Sequence, residues 1–438
     1  LLAARAKAAA SGSANASMND APSPSSSLAT GEFTIPRSNW EAFQFADFRR
    51  FFAARFMTGL AMQVHNVGLG WLVYDRTGSA LALGLVGLAA FLPALLLALV
   101  AGAAADRYDR RLIVTACWGL IALADLGLVL VALKPDAPVW LIYAFTVIAG
   151  TGRSFANPAS QALLPNLVPR PYFAAVVTFN ATAWQSSSIV GPAVGGLLYA
   201  LGPAVVFSVS ATAFATAALL IAWISVRGHG GSAREPPTLE SLFAGVTFIR
   251  SRPVILGAIS LDLFAVLLGG AVALLPIYAK DILQIGPLGL GVLRSMPASG
   301  AILMTLVLAW FPLRRHVGRM MFTAVIVFGA ATIVFGLSTH AVISAAALFT
   351  CGAVDMISVV IRQTLVQAET PDAMRGRVSA VNSVFIGASN ELGEFESGAV
   401  AAIAGPVGSA VIGGVGCIVV ALLWIRLFPA LWKRDKLI

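Results

Sequence analysis

Charge is what this chain has least of. Only 11% of its 438 residues are Asp, Glu, Lys or Arg, against about 25% in a soluble globular domain. So few charges would leave a soluble fold of this size with a largely apolar surface, which excludes one. Cysteine is also scarce. Cys117, Cys351 and Cys417 all lie in apolar runs. They offer no disulfide framework and no Cys-x-x-Cys pair for zinc or redox work, and read as small buried hydrophobes. None of the five lysines follows a glycine, so there is no P-loop and no basis for ATP-driven work within the chain. The four histidines are dispersed, with no His-Glu-x-x-His and no Gly-x-Ser-x-Gly, which removes the usual hydrolase signatures of a membrane enzyme. No cofactor and no metal centre is implied.

What remains is 58% hydrophobic, with 41 glycines and 22 prolines spread through apolar sequence. Membrane helices tolerate both residues better than soluble ones do. The expected fold class is an all-α polytopic membrane protein. Twelve apolar runs, at 50–74, 80–104, 112–133, 139–163, 173–200, 203–226, 254–278, 288–312, 317–338, 341–366, 377–404 and 408–428, each approach the length needed to cross a bilayer. An Ala/Ser/Pro-rich stretch over 1–46 reads as a disordered cytoplasmic tail. It lacks a signal-peptide h-region. The sequence starts at Leu1, a Met-Asn-Asp occurs at Met18, and residues 1–17 are given no role. Residues 227–253 interrupt the pattern as a cytoplasmic linker, polar at first and amphipathic from Leu239 to Arg250. They divide a first six-helix bundle (47–226) from a second (254–428), with a cytoplasmic C-terminal tail at 429–438.

The net charge of +9 is distributed as topology requires. With a cytoplasmic N-terminus, 22 of the 29 Lys and Arg fall in cytoplasmic loops and tails, while Arg76, Lys134 and Lys280 alone fall outside. The positive-inside rule then puts both termini in the cytoplasm. Basic clusters between apolar runs are topology signals, so no nucleic-acid partner is expected. The lipid bilayer and a small-molecule substrate are the expected partners of a monomer. The halves also repeat. Residues 157–198 slide onto 359–400 without gaps, matching Gln161 with Gln363, Pro169 with Pro371, Asn180 with Asn382 and Gly191 with Gly393. Two parallel six-helix repeats are a transporter architecture with a midplane site between them.

The loop between the second and third spans reads Gly102-Ala-Ala-Ala-Asp106-Arg107-Tyr108-Asp109-Arg110-Arg111. An acid followed by an arginine cluster at a helix end can pair helices or meet lipid phosphates; its bland alternative is a basic stop signal. This loop resembles the signature of the major facilitator superfamily, with Asp109 where a glycine is usual and a degenerate second copy at Leu313–Arg319. The stretch Trp71-Leu-Val-Tyr74-Asp-Arg-Thr-Gly78-Ser79-Ala80 is similar to the branch holding enterobactin exporters and multidrug efflux proteins. The resemblance covers about residues 45–430. It implies the major facilitator fold, a bacterial inner-membrane location, and a cytoplasmic gate latch at Gly102, Asp106, Arg107, Arg110 and Arg111. The fifth span carries Gly191-Pro192-Ala193-Val194-Gly195-Gly196, which resembles the family's antiporter signature; plain helix packing through Gly191, Pro192, Gly195 and Gly196 is the alternative.

Charges inside the spans say most about function. Each costs roughly 2.5–3.5 kcal/mol at mid-bilayer, so each needs a partner or a wet cavity. Glu391 and Glu394 share a helix face near the centre of span eleven and are the first candidates for proton coupling, followed by Asp125 and Asp355. Asp355 and Arg362, seven residues apart, also read as a static ion pair. Arg153, Arg362, His65, Gln63, Asn66, Asn180, Trp184, Gln185 and Asn390 are candidates for the substrate cavity, with His65 as a satisfied core histidine the alternative. The expected function is secondary active export of a small amphiphile, a siderophore or drug, driven by a proton gradient. Uptake by symport, lipid flipping, a non-transporting sensor and a membrane enzyme are the competing readings.

Overall fold

The computed structural model describes residues 38–226 and 239–436, and among them every regular element is helical. The first six spans are α1 (Ala46–Thr77), α2 (Ala80–Arg107), α3 (Arg110–Leu133), α4 (Trp140–Leu163), α5 (Phe173–Ala200) and α6 (Pro203–Ala222). An amphipathic helix, α7 (Leu239–Ser251), precedes α8 (Pro253–Leu268), α9 (Gly286–Trp310), α10 (Val317–Leu337) and α11 (Ala341–Glu369). The helical run Asp372–Leu427 breaks at Gly405, whose φ of 77° and ψ of 164° no helix contains. It is two spans, α12 (372–404) and α13 (406–427).

Among the described residues eight helical stretches are long and apolar enough to cross a membrane, and the last of these holds both α12 and α13. The spans that fall short, α1, α4 and α5, carry the polar residues Asn66, Arg153 and Asn180 in mid-helix. A helix facing an interior cavity need not be as apolar as one facing lipid.

Local chemistry sets the helix ends. Gly78 closes α1 in the left-handed conformation at φ 57°, and the Ser79 side chain caps α2 by accepting the Ala82 N–H at 3.3 Å. Asp109 caps α3, accepting the Arg111 N–H at 2.9 Å. The aspartate that departs from the loop signature therefore has a local structural use. The seventh span is not one helix. After α8 the chain breaks at Gly269–Gly270, passes through a 3-10 turn (Ala271–Leu274) and ends in a π turn (Tyr278–Ile282). Irregular backbone at membrane depth is tolerated where it lines a cavity, and Gly269–Val272 do line one.

The expected tail over 1–46 differs where it is described; residues 1–37 and 227–238 lie outside the described residues. Asn39–Gln44 form a 3-10 helix. Its Phe43 ring packs 5.0 Å from Phe48 and 4.8 Å from Phe179, so apolar burial extends ahead of the first span. The other end is docked too. Leu431 is buried, and Asp435 accepts the His316 N–H at 3.0 Å, covering the start of α10.

Interior packing shows how the halves sit. Away from the two described chain ends, one apolar cluster joins both halves, from Val64 and Phe207 to Leu275, Leu290 and Phe335. Toward the chain ends that core splits. One cluster, around Trp118 and Phe214, belongs to α1–α6, while two others, around Phe322 and Ile255, belong to α7–α13. The halves are therefore sealed at one end and parted at the end that carries the described termini.

The seal uses matching parts of the repeat. On α5, Gly196 lies against the Pro287 carbonyl and Gly291 of α9. On α12, Gly398 lies against Gly84 of α2; within their own halves, Gly191 lies against Gln63 of α1 and Gly393 against Leu267 of α8. The internal match between α5 and α12 thus recurs as equivalent close helix approaches.

Candidate functional site

At mid-membrane, between the sealed end and the parted end, lies a cavity with about 810 Å³ of space, part of it open to solvent. Its walls come from α1, α2 and α4, with single residues of α3 and α6, in one half and from the irregular stretch after α8, α9 and α12 in the other, and include His65, Asn66, Arg153, Arg294, Glu391 and Glu394. The charges lining it are two guanidiniums and two carboxylates.

Glu391 pairs with Arg153 across the halves, Oε1 to Nη2 at 3.1 Å, with about a quarter of each side chain exposed (25% and 24%). Glu394, one turn along α12, has no hydrogen-bond or ion-pair partner among the described residues, and faces the charges of Glu391, Arg294 and Arg153. Gly87 of α2 allows this approach: a Cβ there would stand 3.0 Å from Glu394 Cβ. Arg294 was not among the expected cavity residues. Its signal in the sequence was the same as theirs, a lone charge within an apolar span.

The remaining candidates divide between the cavity wall and the packed interior. Asp125 is not on the wall. It is fully buried (0% exposed), with Oδ1 2.7 Å from His65 Nδ1 and Oδ2 accepting the Ser210 hydroxyl. His65 stands between this acid and the cavity, so it is both a satisfied histidine and a lining residue. Asn66 lines the cavity. Gln63 instead packs between α1 and α5, against Gly191, with Nε2 3.4 Å from Ser188 Oγ. Trp184 lies under the Arg55 guanidinium at 4.9 Å, and Asn180 has a buried Oδ1 without a partner. Gln185 is half-buried on α5. Asn390 bonds back to the Ile386 carbonyl at 2.8 Å and faces a second chamber inside the C-terminal half.

The expected pair of Asp355 with Arg362 is not formed. Arg362 is 3% exposed and bonds Asp262 of α8 at 3.2 Å and the Asn382 amide oxygen of α12 at 3.0 Å. Seven residues of helix separate Asp355 from Arg362 by about 10.5 Å of rise, and facing helices offer nearer acceptors.

The loop motif is engaged within its own half. Arg110 donates to the carbonyls of Ala105 (3.0 Å) and Ala162 (2.9 Å) and stands 4.0 Å from Asp106; Arg111 donates to the Ile224 carbonyl at 2.8 Å. Arg107 is exposed, and Gly102 is half-buried in the last turns of α2. The glycines of α5 are packing positions. A Cβ on Gly195 would lie 3.1 Å from Val64 Cα, and the Pro192 carbonyl abuts Gly291.

Residues 37–436 match the family model described as transmembrane secretion effector. The chain belongs to this family, a branch of the major facilitator superfamily. Family members are transporters, not enzymes, and the resemblance carried by the loop signature holds. The enterobactin exporter EntS of Shigella boydii serotype 4 (strain Sb227) is 27% identical over 391 residues, covering 86% of this chain and 90% of the relative. EntS of Citrobacter koseri (strain ATCC BAA-895 / CDC 4225-83 / SGSC4696) is 27% identical over 399 residues, covering 88% and 92%. Among solved structures, a point mutant of the nucleoside transporter NupG superposes with a TM-score of 0.70 at 14% identity, over 87% of this chain and all (100%) of that one. A bacterial homologue of the lysosomal transporter Spinster, in an inward-facing and occupied conformation, gives 0.66 at 13% identity, over 91% and 97%. These likenesses establish the major facilitator fold in this member of the family.

Proposed function

We propose that this transporter exports a small amphiphilic molecule from the bacterial cytoplasm across the inner membrane in exchange for protons. The observation that carries this reading is the ion pair Arg153–Glu391 joining the two halves at mid-membrane, with Glu394 unpaired beside it in the same cavity. A proton on Glu391 cancels its charge and with it the attraction to Arg153. Protonation therefore favours arrangements in which the halves separate at that point, and substrate binding biases the same equilibrium. The mixed lining, charged at Arg153, Arg294, Glu391 and Glu394 and apolar at Leu69, Leu83, Val86 and Phe214, suits an amphiphile. The similarity to enterobactin exporters favours export and a siderophore-like substrate.

With the basic end in the cytoplasm, the parted end opens to the cytoplasm, and the Asp106–Arg111 loop is placed to latch that gap in the opposite state. Transport needs no bound cofactor, only the gradient. The test is export from proteoliposomes under an imposed pH gradient, with enterobactin and ethidium as probes. Wild type is expected to accumulate at least one of them against its gradient. The double variant Glu391→Gln/Glu394→Gln is expected to lose accumulation while inserting normally. Normal pumping by the double variant would refute the proton site.

A further inference from the structure

A second chamber, with about 900 Å³ of space, part of it open to solvent, lies in the C-terminal half. It is bounded by the α8 break, α9, α10, α11 and α12. Glu394 is on the wall of both this chamber and the central cavity. Asp355 is on the wall of the chamber and of a smaller cavity that reaches Asp262 and Ser358. The three spaces thus meet at two carboxyls.

The chamber differs from the cavity in charge. The central cavity has Arg153 and Arg294 to balance its acids, whereas no basic residue lines the chamber. The charges that act on Asp355 are Asp262 of α8 and Arg362 of its own helix α11; the Cys351 thiol is on the wall with Cys417 of α13 behind it, and Glu394 of α12 shares the wall. The walls given by α9 and α10 bring Pro297, Phe328, Thr332 and Phe335, none of them titratable. Arg362 is already held by Asp262 and Asn382. Asp355 itself has no hydrogen-bond or ion-pair partner among the described residues. A charged group at bilayer depth without a counter-charge is costly, and on otherwise apolar walls Thr332, Asp355, Asn390 and Glu394 give water the polar partners it needs in the chamber.

We propose that this chamber is a proton compartment separate from the substrate cavity, with Asp355 as its proton-binding carboxyl and Glu394 as its port. A proton arriving on Glu394 from the central cavity passes through chamber water to a carboxylate oxygen of Asp355, leaving Glu394 ionised to face Arg294. The compartment deepens the proposed proton coupling and rests on it for its use. Its existence is nonetheless measurable without any substrate.

The experiment is infrared difference spectroscopy of the full chain in nanodiscs during a pH titration and during exchange into D2O. Protonated carboxyls show a C=O stretch that ionised ones lack. Asp355→Asn is expected to remove one such band, and Asp355→Glu to restore it at a shifted frequency. Glu394→Gln is expected to leave that band in place but slow its exchange with D2O, because the port is lost. Phe328→Trp narrows the chamber without removing a carboxyl, and is expected to shift the band and slow its exchange even if Asp355→Asn does not fold. An Asp355→Asn spectrum that superimposes on wild type, or a band indifferent to both Glu394→Gln and Phe328→Trp, would overturn the compartment. Failure of proton-driven export in proteoliposomes with the band intact would instead overturn the proposed export.

Discussion

Breaking the Arg153–Glu391 pair tests the mechanism most directly. The pair spans the two halves at 3.1 Å and is about three-quarters buried on each side. At an effective dielectric near 20, two unit charges at that distance attract by about 5 kcal/mol. Desolvation of both groups opposes this, and the cavity is open to solvent on one side. A net coupling of about 1–3 kcal/mol remains, which changes a two-state equilibrium by roughly 5–150-fold. The pair is made in the state parted at the terminal end, so its loss should deplete that state. Glu391→Gln alone should show less than this, because Glu394 is near enough to Arg153 to take over part of its charge.

The assay is a double-mutant cycle with Arg153→Met and Glu391→Gln. Spin labels at positions 170 and 314, on terminal-end loops of opposite halves, report the populations by distance distribution. Each single variant is expected to shift population toward a closed terminal end. The double variant is expected to shift it by less than the sum of the two, and the charge swap Arg153→Glu/Glu391→Arg to restore much of the wild-type distribution. Strict additivity, within about 0.3–0.5 kcal/mol, would show that the pair is not an energetic link between the halves.

Three further outcomes follow from the same packing. His65→Ala leaves the fully buried Asp125 with only the Ser210 hydroxyl and should cost about 3–5 kcal/mol, read as loss of monodisperse protein on size exclusion; His65→Ala with Asp125→Asn should recover part of it. Arg362→Gln removes the charge partner of buried Asp262 and should destabilise by a similar ~3–5 kcal/mol, read as a lowered thermal midpoint in detergent. The Lys280–Asp75 pair at the sealed end, 2.6 Å apart but 37% and 51% exposed, should contribute less than about 1 kcal/mol, so Lys280→Ala is expected to leave both the midpoint and the spin-label distances nearly unchanged.

Span positions were legible in the sequence because a bilayer imposes one length and one polarity on every crossing. The repeat was legible because Gly196/Gly398 sit where α5 and α12 meet helices of the opposite half and Gly191/Gly393 where they meet α1 and α8 of their own, and close approach there admits little else. The broken seventh span was not legible. Hydropathy cannot tell an apolar helix from an apolar run that unwinds at Gly269–Gly270. Partner choice was also hidden. Asp355 and Arg362 share a helix face, yet Asp262 and Asn382 on facing helices take the guanidinium. Such a choice depends on the rotation and depth of neighbouring helices, which no pattern within one span records. Asp125 misled for the same reason, its helix turning it toward His65 and Ser210 rather than into the cavity.

A fixed charge balance links these observations. Each half of the interior holds one buried pair made within that half, His65–Asp125 in the first and Arg362–Asp262 in the second. Neither crosses between halves, so neither changes when the halves move as rigid bodies. Arg153, Arg294, Glu391 and Glu394 are different: they come from both halves and meet in one open space. Rocking the halves must change their separations, and with them the cost of keeping each carboxylate charged. A carrier that used only intra-half pairs would bind protons equally in both states and move nothing uphill, because only a difference in affinity between states can couple two ligands. In the proposed exchange, the cross-half placement of Glu391 opposite Arg153 is the physical source of that difference.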